Sequence, residues 1–411
     1  MIFRPYDPVK DRQAVHQLWQ EIHWIDREDK EDIRYMDIFL GASKSLVAEV
    51  NGAAECLVSS APGNILHLEN EHSMAAVIAV TTSLVARKQG LASRLTAQLI
   101  AEDAAQGFST SALGMFEQGY YSRLGFGTGP YEHQVRFNPA RLNVTTKAGV
   151  PLRLTEKDHP DIHQSLMKRW RAHGGVQLFP SEFTHAELGL TDNPCGFGYK
   201  DSSGELTYII WGDMKSEYGP FKISAIAYRD RIQLLELLAL IKNLSDQLYL
   251  VTLMEPFHLQ LQDLLVEPFK GMNTTSGGKY VEIIRAEAFW QLRINDLVAC
   301  LCDTHLPNRS TLSSNLTLTD PISQFLDTEQ SWQGISGEYT IHLGENCEAQ
   351  VDHSKGLPLL EASVGGFSRL WLGCASANAI AIAGEISAAQ ALLDSLEKTL
   401  ALPLPKTGWE F

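Results

Sequence analysis

The sequence predicts a mixed α/β protein built from three domains. Its 411 residues exceed what a single hydrophobic core normally organises. Segments with strand-like and helix-like periodicity alternate along the chain, and their order in the first part recurs loosely in the second. A hydrophobic content of 44% and a charged content of 20% are typical of a soluble globular protein. We place the domains at residues 1–145, 146–288 and 289–411.

The first domain is predicted to open with a strand and an amphipathic helix, followed by a hairpin. Asn51-Gly52 between alternating apolar residues is the strongest hairpin signal in the chain. The later elements are, in order, a buried strand ("MAAVIAV"), a glycine-containing loop, a helix ("LASRLTAQLIAEDAAQ"), a strand ("FSTSALGM") and a short helical turn ("YYSRLGFG").

The second domain repeats this order less regularly. It is predicted to contain helices at 160–172 and 231–247, with strands near 205–211, 221–227 and in "LYLVTL". The third domain is predicted to open at "FWQLRINDLVACL" and to continue with strands in "EYTIHLG" and "AQVDHS" and helices over "GFSRLWLGCASANA" and "SAAQALLDSLEKTL".

The charge of the chain restricts its partners. With 34 basic and 49 acidic residues, the net charge is −15, which repels phosphate backbones and attracts cations and amines. Nucleic acid is therefore not expected as a partner. No segment approaches the ~20 apolar residues of a membrane span, and the N-terminus lacks a signal-peptide pattern, so a cytoplasmic location is expected. The six cysteines are scattered, which indicates reduced thiols and no metal site.

One loop carries the pattern of a phosphate-binding site. Arg87-Lys88-Gln89-Gly90-Leu91-Ala92 stands between the buried strand and the next helix. The free backbone N–H groups and the dipole of a helix N-terminus favour an anion there. Gly90 and Ala92 allow close approach, and Arg87 and Lys88 add positive charge. Taken alone, the pattern also fits an ordinary strand-to-helix turn.

Together with "YYSRLGFG" about 30 residues later, this loop resembles the GNAT superfamily of acyl-CoA-dependent N-acetyltransferases. The whole chain resembles the Eis (enhanced intracellular survival) acetyltransferases, through "FWQLRINDLVACL", "RLWLGCASANAIAIAGEI" and the final Glu410-Phe411. The resemblance implies tandem GNAT folds, the second degenerate, and a C-terminal domain like sterol carrier proteins. Thr82-Ser83-Leu84 departs from the V-x-P segment that often precedes the GNAT loop.

The resemblance also implies the cosubstrate and the catalytic residues. Acetyl-CoA is expected on the loop and the preceding strand, whose backbone N–H groups polarise the thioester; the expected contacts are Val80, Thr81, Thr82, Arg87, Lys88, Gln89, Gly90, Leu91 and Ala92. Tyr121 is expected to be the general acid, although it also fits a packing tyrosine, and Tyr120 is its neighbour. The C-terminal carboxylate of Phe411 is expected to be the general base, although the tail "LPLPKTGWEF" also fits a purely structural docking segment.

The second block has "YRDRIQLLELL" at the position of a second phosphate loop, without glycine. We therefore expect one acetyl-CoA site per chain. The acceptor is expected to contact Trp24, Asp26 and Glu410; Glu28 and Asp29 also fit a solvated charge run. Arg293 and Asp296 are expected to form an ion pair between domains.

Three functions are compatible with the sequence. The first is acetyl transfer to a cationic amine, such as an aminoglycoside, a polyamine or a lysine side chain. The second is a CoA-binding sensor or scaffold without turnover, and the third is lipid binding by the C-terminal domain. Members of the Eis family assemble as hexamers, so the resemblance implies a homo-oligomer.

Overall fold

The computed structural model describes residues 1–25, 30–268, 279–307 and 310–409. These residues form three β-sheets with helices packed around them, and each sheet defines a unit named here by its order along the chain. Asp26, Glu410 and Phe411, which are predicted to contact the acceptor or to supply the base, lie outside the described residues, as do Glu28 and Asp29.

The first unit begins with a strand, two helices and a long hairpin. Its elements are β1 (Ile2–Pro5), α1 (Arg12–Glu21), α2 (Lys30–Ala42), β2 (Lys44–Val50), β3 (Ala53–His67), β4 (Asn70–Thr82), α3 (Leu91–Ala105), β5 (Thr110–Gly114), α4 (Gln118–Ser122) and β6 (Gly127–Thr128). Asn51 and Gly52 both have positive φ at the predicted turn between β2 and β3, as a tight hairpin requires. The predicted elements occur in the predicted order, but the structure adds helix α2 before the hairpin, which was not predicted.

The second unit follows with a similar order. Its elements are β7 (Glu132–Phe137), β8 (Leu152–Leu154), α5 (His159–Met167), β9 (Val176–Leu178), α6 (Ser181–Gly189), β10 (Pro194–Lys200), β11 (Leu206–Met214), β12 (Phe221–Ala227), α7 (Arg231–Asn243), β13 (Val251–Met254) and β14 (Ile283–Glu287). Helix α5 ends five residues before its predicted end at 172, where the Arg169 guanidinium donates to the Leu166 carbonyl (2.6 Å). A side chain thus satisfies a carbonyl of the last turn.

The third unit contains a five-stranded sheet. Its elements are β15 (Trp290–Ile294), α8 (Leu297–Cys302), β16 (Leu312–Thr319), β17 (Gly337–Leu343), β18 (Glu348–Val351), β19 (Leu359–Ser363), α9 (Val364–Trp371), α10 (Ala377–Ile382), β20 (Ile386–Ala388) and α11 (Gln390–Thr399). The single helix predicted over "GFSRLWLGCASANA" is two helices, because the chain turns at Gly373 with φ 66°. Among the described residues, no helix combines the length and apolarity needed to cross a membrane.

Strand pairing crosses the domain divisions predicted from the sequence. β15 lies between β5 and β6 in the first sheet, although it opens the predicted third domain. β7 pairs with β13 and β14 in the second sheet, although it lies within residues 1–145. β9 pairs with β3 of the first sheet. The three units therefore share strands, and one buried apolar cluster includes residues of all three, among them Met74, Trp211 and Trp371.

A buried ion pair joins the first and third units, but its partners differ from the prediction. Arg293 pairs with Asp320 (2.7 Å), not with Asp296, and both side chains are 0% exposed. Arg293 also donates to the carbonyl of Leu124 in the first unit. Asp296 accepts from the Ala299 N–H (3.0 Å) and caps α8 instead, as short polar side chains do at helix N-termini.

Candidate functional site

A gap between two neighbouring strands lies at the centre of the candidate site. β4 and β5 run parallel but are paired only from Met74 to Ala76. β5 continues to Gly114, paired with β15 on its other side, so β4 and β5 separate beyond Ala76. Within the described residues, the part of β4 after Ala76 has no strand partner on this side, and its backbone N–H groups that face the gap are available to a ligand.

A bulge in β4 stands at the same place. Ala79 and Val80 together lie opposite one residue of β3, Val58. Ala79 has φ 51°, which is uncommon for a residue with a Cβ atom. Bulges bend a strand and redirect its side chains. Val80 is the second residue of the bulge and lines the cavity into which the gap opens.

This first cavity has a volume of about 540 Å³. Residues of all three units line it, including Trp24, Phe39, Val80, Tyr121, Glu132 and Trp409. Trp24, predicted as an acceptor contact, is 49% exposed at its edge. Thr81 and Thr82, predicted as cosubstrate contacts, pair with Leu57 and Cys56 of β3.

The loop before α3 leaves the start of that helix uncapped. Gly90 is the N-cap residue with φ 75°, and no side chain of the described residues caps the helix. A Cβ atom at Gly90 would meet nothing within 4 Å, so the space in front of the helix is open. The first helical bond runs from Arg94 N–H to the Gly90 carbonyl (3.2 Å), which leaves the N–H groups of residues 91–93 for an anion. Arg87 and Lys88 are exposed beside them.

The matching helix of the second unit is capped by its own chain. The Asp230 carboxylate accepts from the N–H groups of Ile232 (2.8 Å) and Gln233 (2.9 Å) at the start of α7. A carboxylate thus occupies the position that a phosphate would take. This arrangement, like the missing glycine, distinguishes the second unit from the first; one acetyl-CoA site per chain stays a prediction.

The two adjacent tyrosines of α4 differ in their surroundings. Tyr121 is 3% exposed and lines the first cavity. Burial, with a smaller contribution from Tyr120, raises its pKa. The Tyr120 hydroxyl instead accepts a hydrogen bond from Ser93 Oγ (3.3 Å) in the first turn of α3. Tyr121 therefore faces the cavity, and Tyr120 faces the helix that follows the phosphate loop.

Three glutamates line the first cavity, and the sequence analysis identified none of them. Glu132 begins β7, Glu187 lies in α6 and Glu287 ends β14. Glu132 is 5% exposed, and burial raises its pKa while a hydrogen bond from Trp290 Nε1 opposes the shift. Each glutamate comes from a different segment, so no local pattern in the sequence marks them as a group.

The tail docks against the second unit and ends at the cavity. Its hydrogen bonds include Lys406 N–H to His173 O (2.9 Å), Val176 N–H to Thr407 O (2.9 Å) and Arg169 Nη2 to Gly408 O (3.3 Å). A Cβ atom at Gly174 would lie 2.3 Å from Pro405 Cβ, so the approach requires glycine there. Trp409 is 9% exposed and lines the first cavity together with Tyr121.

Comparisons with known proteins agree with this geometry. Residues 6–129 match the family model "Acetyltransferase (GNAT) domain", whereas no curated protein matches the sequence. Three solved structures share the fold over nearly the whole chain. The first is a conserved protein of unknown function from Enterococcus faecalis V583, described as a probable N-acyltransferase (TM-score 0.79, 16% identity, 98% of each chain). The others are a GCN5-related N-acetyltransferase from Anabaena variabilis (TM-score 0.78, 15% identity, 100% of each chain) and Eis1 from Mycobacterium abscessus (TM-score 0.77, 14% identity, 100% of each chain).

At these identities the solved structures establish the fold, which includes the tandem GNAT folds predicted from the sequence. The family match covers the β4–β5 gap, the loop before α3 and both tyrosines of α4. Residues 6–129 are therefore a GNAT acetyltransferase domain, the enzyme class predicted from the loop and the tyrosine turn.

Proposed function

We propose that the protein transfers the acetyl group of acetyl-CoA to a primary amine of a cationic small molecule, of the aminoglycoside or polyamine type, or of a lysine side chain. One observation carries the proposal. The gap between β4 and β5 lies between an uncapped helix N-terminus that fits a pyrophosphate and a cavity that contains Tyr121 and three glutamates.

The donor side fits acetyl-CoA through groups of the chain itself. The open N-terminus of α3 would hold the pyrophosphate, with Arg87 and Lys88 adding charge and Gln89, Leu91 and Ala92 completing the loop. The unpaired backbone of β4 around Val80 to Thr82 would hold the pantetheine arm and polarise the thioester carbonyl. Asp230 blocks the corresponding helix end in the second unit, which supports one donor site per chain.

The acceptor side supports a cation. Glu132, Glu187 and Glu287 line the first cavity, and the chain as a whole carries a charge of −15. Carboxylates in a partly buried cavity favour an ammonium group strongly, because the local dielectric is lower than that of water. Trp24 at the edge adds an aromatic surface for a cation. The predicted acceptor contacts Asp26 and Glu410 remain part of the proposal.

In the proposed reaction, the amine nitrogen forms a bond to the thioester carbonyl carbon, and the bond from carbon to sulfur breaks. Tyr121 donates its hydroxyl proton to the departing thiolate. Because its pKa is raised, Tyr121 is protonated at neutral pH. A phenol above pKa ~10 is a weaker acid than a thiol near ~8.5, so the proton must move as the sulfur leaves.

The ammonium of the acceptor must lose a proton before or during attack. We propose that the C-terminal carboxylate of Phe411 accepts it, directly or through a water molecule. The docked tail supports this proposal, because Trp409 lies in the same cavity as Tyr121 and residues 406–408 are bonded to the second unit. Removal of water from around a carboxylate raises its pKa toward the range of a useful base.

The test measures thiol release from acetyl-CoA with a panel of aminoglycosides, polyamines and lysine peptides. Tyr121→Phe is expected to lower kcat by about 10²–10⁴-fold, while the matched Tyr120→Phe, which loses the contact to Ser93, retains most of kcat. A chain lacking Phe411 is expected to bind acetyl-CoA but to lose turnover. Release by wild type that Tyr121→Phe does not change would refute the assigned acid, and acetyl-CoA binding without any release would favour the sensor.

The sterol-carrier likeness of the third unit, the homo-oligomeric assembly, including the hexamer, and the cytoplasmic location remain predictions from the sequence. Turnover in the assay above does not depend on any of them. Lipid that copurifies with the protein and is identified by mass spectrometry would support the lipid-binding alternative.

A further inference from the structure

A second cavity lies in the second unit, at a gap that matches the one in the first. β12 and β13 run parallel but pair only at Phe221 with Val251 and Lys222 with Thr252. Beyond these pairs the strands separate, and residues 223–226 of β12 and 253–254 of β13 line a cavity of about 470 Å³. The degenerate unit has therefore kept the opening between its strands, although Asp230 occupies its phosphate position.

The wall of the second cavity is mainly apolar and aromatic. Its larger side chains include Trp170, Trp211, Ile226, Tyr228, Leu253 and Phe257. Trp170, Tyr228 and Phe257 contact one another, with ring centroids 5.1–6.4 Å apart. Such a wall stabilises an apolar group in proportion to the area removed from water.

The second cavity adjoins the first. Five residues line both: Glu132, Glu187, Met254, Phe289 and Trp409. The two glutamates thus stand at the junction, with Tyr121 on one side and the apolar wall on the other. A molecule that places an ammonium group at the junction can extend its remaining atoms into the second cavity.

Apart from the two shared glutamates, the described lining of the second cavity contains two cations, Arg169 and Lys406, and one carboxylate, Glu255. Arg169 is 8% exposed, and its hydrogen bonds go to the carbonyls of Leu166, Val176 and Gly408. Among the described residues it has no carboxylate partner, and burial lowers its pKa to about 10, which leaves it charged at neutral pH. Lys406 is also in the wall, 3.6 Å from Glu255. A second ammonium in this cavity would lose hydration and be repelled by Arg169, while Glu255 already pairs with Lys406.

We propose that the second cavity binds an apolar body carried by the acceptor, so that the preferred acceptors are amphipathic amines with one ammonium group rather than polycations. This inference rests on the proposed acetyl transfer and, among primary amines, ranks those with one ammonium group above the aminoglycosides and polyamines. The amine lies at Glu132 and Glu187, facing Tyr121, and the apolar body fills the space between β12 and β13.

The test compares kcat/KM for thiol release along the linear alkylamines from ethylamine to hexylamine. Burial of each added methylene is expected to raise kcat/KM by about fourfold until the cavity is filled. Hexylamine and 1,5-diaminopentane form a matched pair of equal length that differs in one end group. Hexylamine is expected to be the better substrate by at least about tenfold, because the second ammonium of 1,5-diaminopentane is desolvated beside Arg169 and a Glu255 that is already paired with Lys406.

Two graded variants place the preference in the second cavity. Ala225 lines it on β12, and Ala225→Val and Ala225→Leu fill part of its space. Both are expected to lower kcat/KM for hexylamine progressively, by about tenfold for leucine, and so to weaken the dependence of kcat/KM on chain length. Ala140→Leu is the control, because Ala140 is exposed and lines neither cavity. If thermal unfolding shows that the Ala225→Leu variant does not fold, the Ala225→Val variant is compared with wild type instead.

The outcomes separate the two proposals. No thiol release with any amine, including the panel above, overturns the proposed function and this inference with it. Release with 1,5-diaminopentane equal to or better than hexylamine, or an Ala225→Leu variant with unchanged chain-length dependence, overturns this inference alone. This inference is also overturned if kcat/KM depends on the length of the acyl group of the acyl-CoA donor and Ala225→Leu removes that dependence, because the second cavity would then hold the acyl chain.

Discussion

Replacement of Arg293 by methionine should strongly destabilise the junction of the first and third units. Methionine keeps much of the side-chain length but leaves Asp320 buried at 0% exposure without its cation. The Asp320 carboxylate still accepts hydrogen bonds from two backbone N–H groups, those of Ile322 (3.2 Å) and Ile335 (3.0 Å). Removal of one partner of a buried pair costs about 3–5 kcal/mol, and the lost bond to the Leu124 carbonyl adds to this. We expect the variant to lose about 4 kcal/mol.

The assay is urea-induced unfolding followed by tryptophan fluorescence and circular dichroism, with acetyl transfer measured in parallel. Arg94→Met is the matched control, because Arg94 pairs with Asp327 at 3.5 Å across the same two units but with 44% and 70% exposure. Exposed pairs contribute about 0–1 kcal/mol, so this variant should resemble wild type. The double variant Arg293→Met, Asp320→Asn should recover part of the loss, since the side chain is then uncharged and its amide oxygen still accepts one of the two N–H groups, which in the wild type bond to different carboxylate oxygens. Equal urea midpoints for Arg293→Met and Arg94→Met would refute the reasoning.

Three further predictions address the loop, the tail and the unit junction. Gly90→Ala should raise KM for acetyl-CoA roughly tenfold with kcat little changed, because φ 75° costs a residue with a Cβ about 1–2 kcal/mol; an unchanged KM in steady-state kinetics would contradict it. Arg169→Met should release the tail from its bond at Gly408 and lower kcat by about tenfold or more without weakening acetyl-CoA binding measured by calorimetry. Burial lowers the pKa of His67 to about 3 and those of His72 and His173 to about 4. In the unfolded chain these histidines titrate near ~6.5, so below that pH the unfolded chain binds more protons than the folded chain. The free energy of unfolding, measured with urea, should therefore be highest above about pH 6.5 and fall toward pH 4. A free energy of unfolding that does not change with pH would contradict this.

The sequence allowed the elements of the site to be predicted where local chemistry determines them. The turn at Asn51-Gly52 and the loop ending at Gly90 both depend on residues that tolerate positive φ, and both lie where the sequence predicts them. Tyr121 follows from its spacing to the glycine turn, and the structure brings it to the first cavity. The assignments of Tyr121 and of the loop residues to catalysis and cofactor binding stay predictions.

Features that depend on distant segments could not be predicted in the same way. The insertion of β15 between β5 and β6 joins residues separated by more than 150 positions, and no local pattern specifies such a pairing. The partner of Arg293 was predicted wrongly for the same reason, since Asp296 is near in sequence whereas Asp320 is near in space. Glu132 is similar, because its place between the two cavities depends on β7 pairing in the second sheet.

The two GNAT-like units show how a duplicated fold can divide the work of one site. In the first unit, Gly90 leaves the helix end free for an anion, and the strand gap can receive a thioester. In the second unit, the Asp230 carboxylate caps the N-terminus of α7, so the backbone N–H groups there are satisfied by the chain itself. The gap between β12 and β13 is nevertheless present. A gap that no donor enters is available to another molecule, and the docked tail places Trp409 at the point where the two gaps meet. The loss of the phosphate site in the second unit would then be what allows its cavity to select the acceptor.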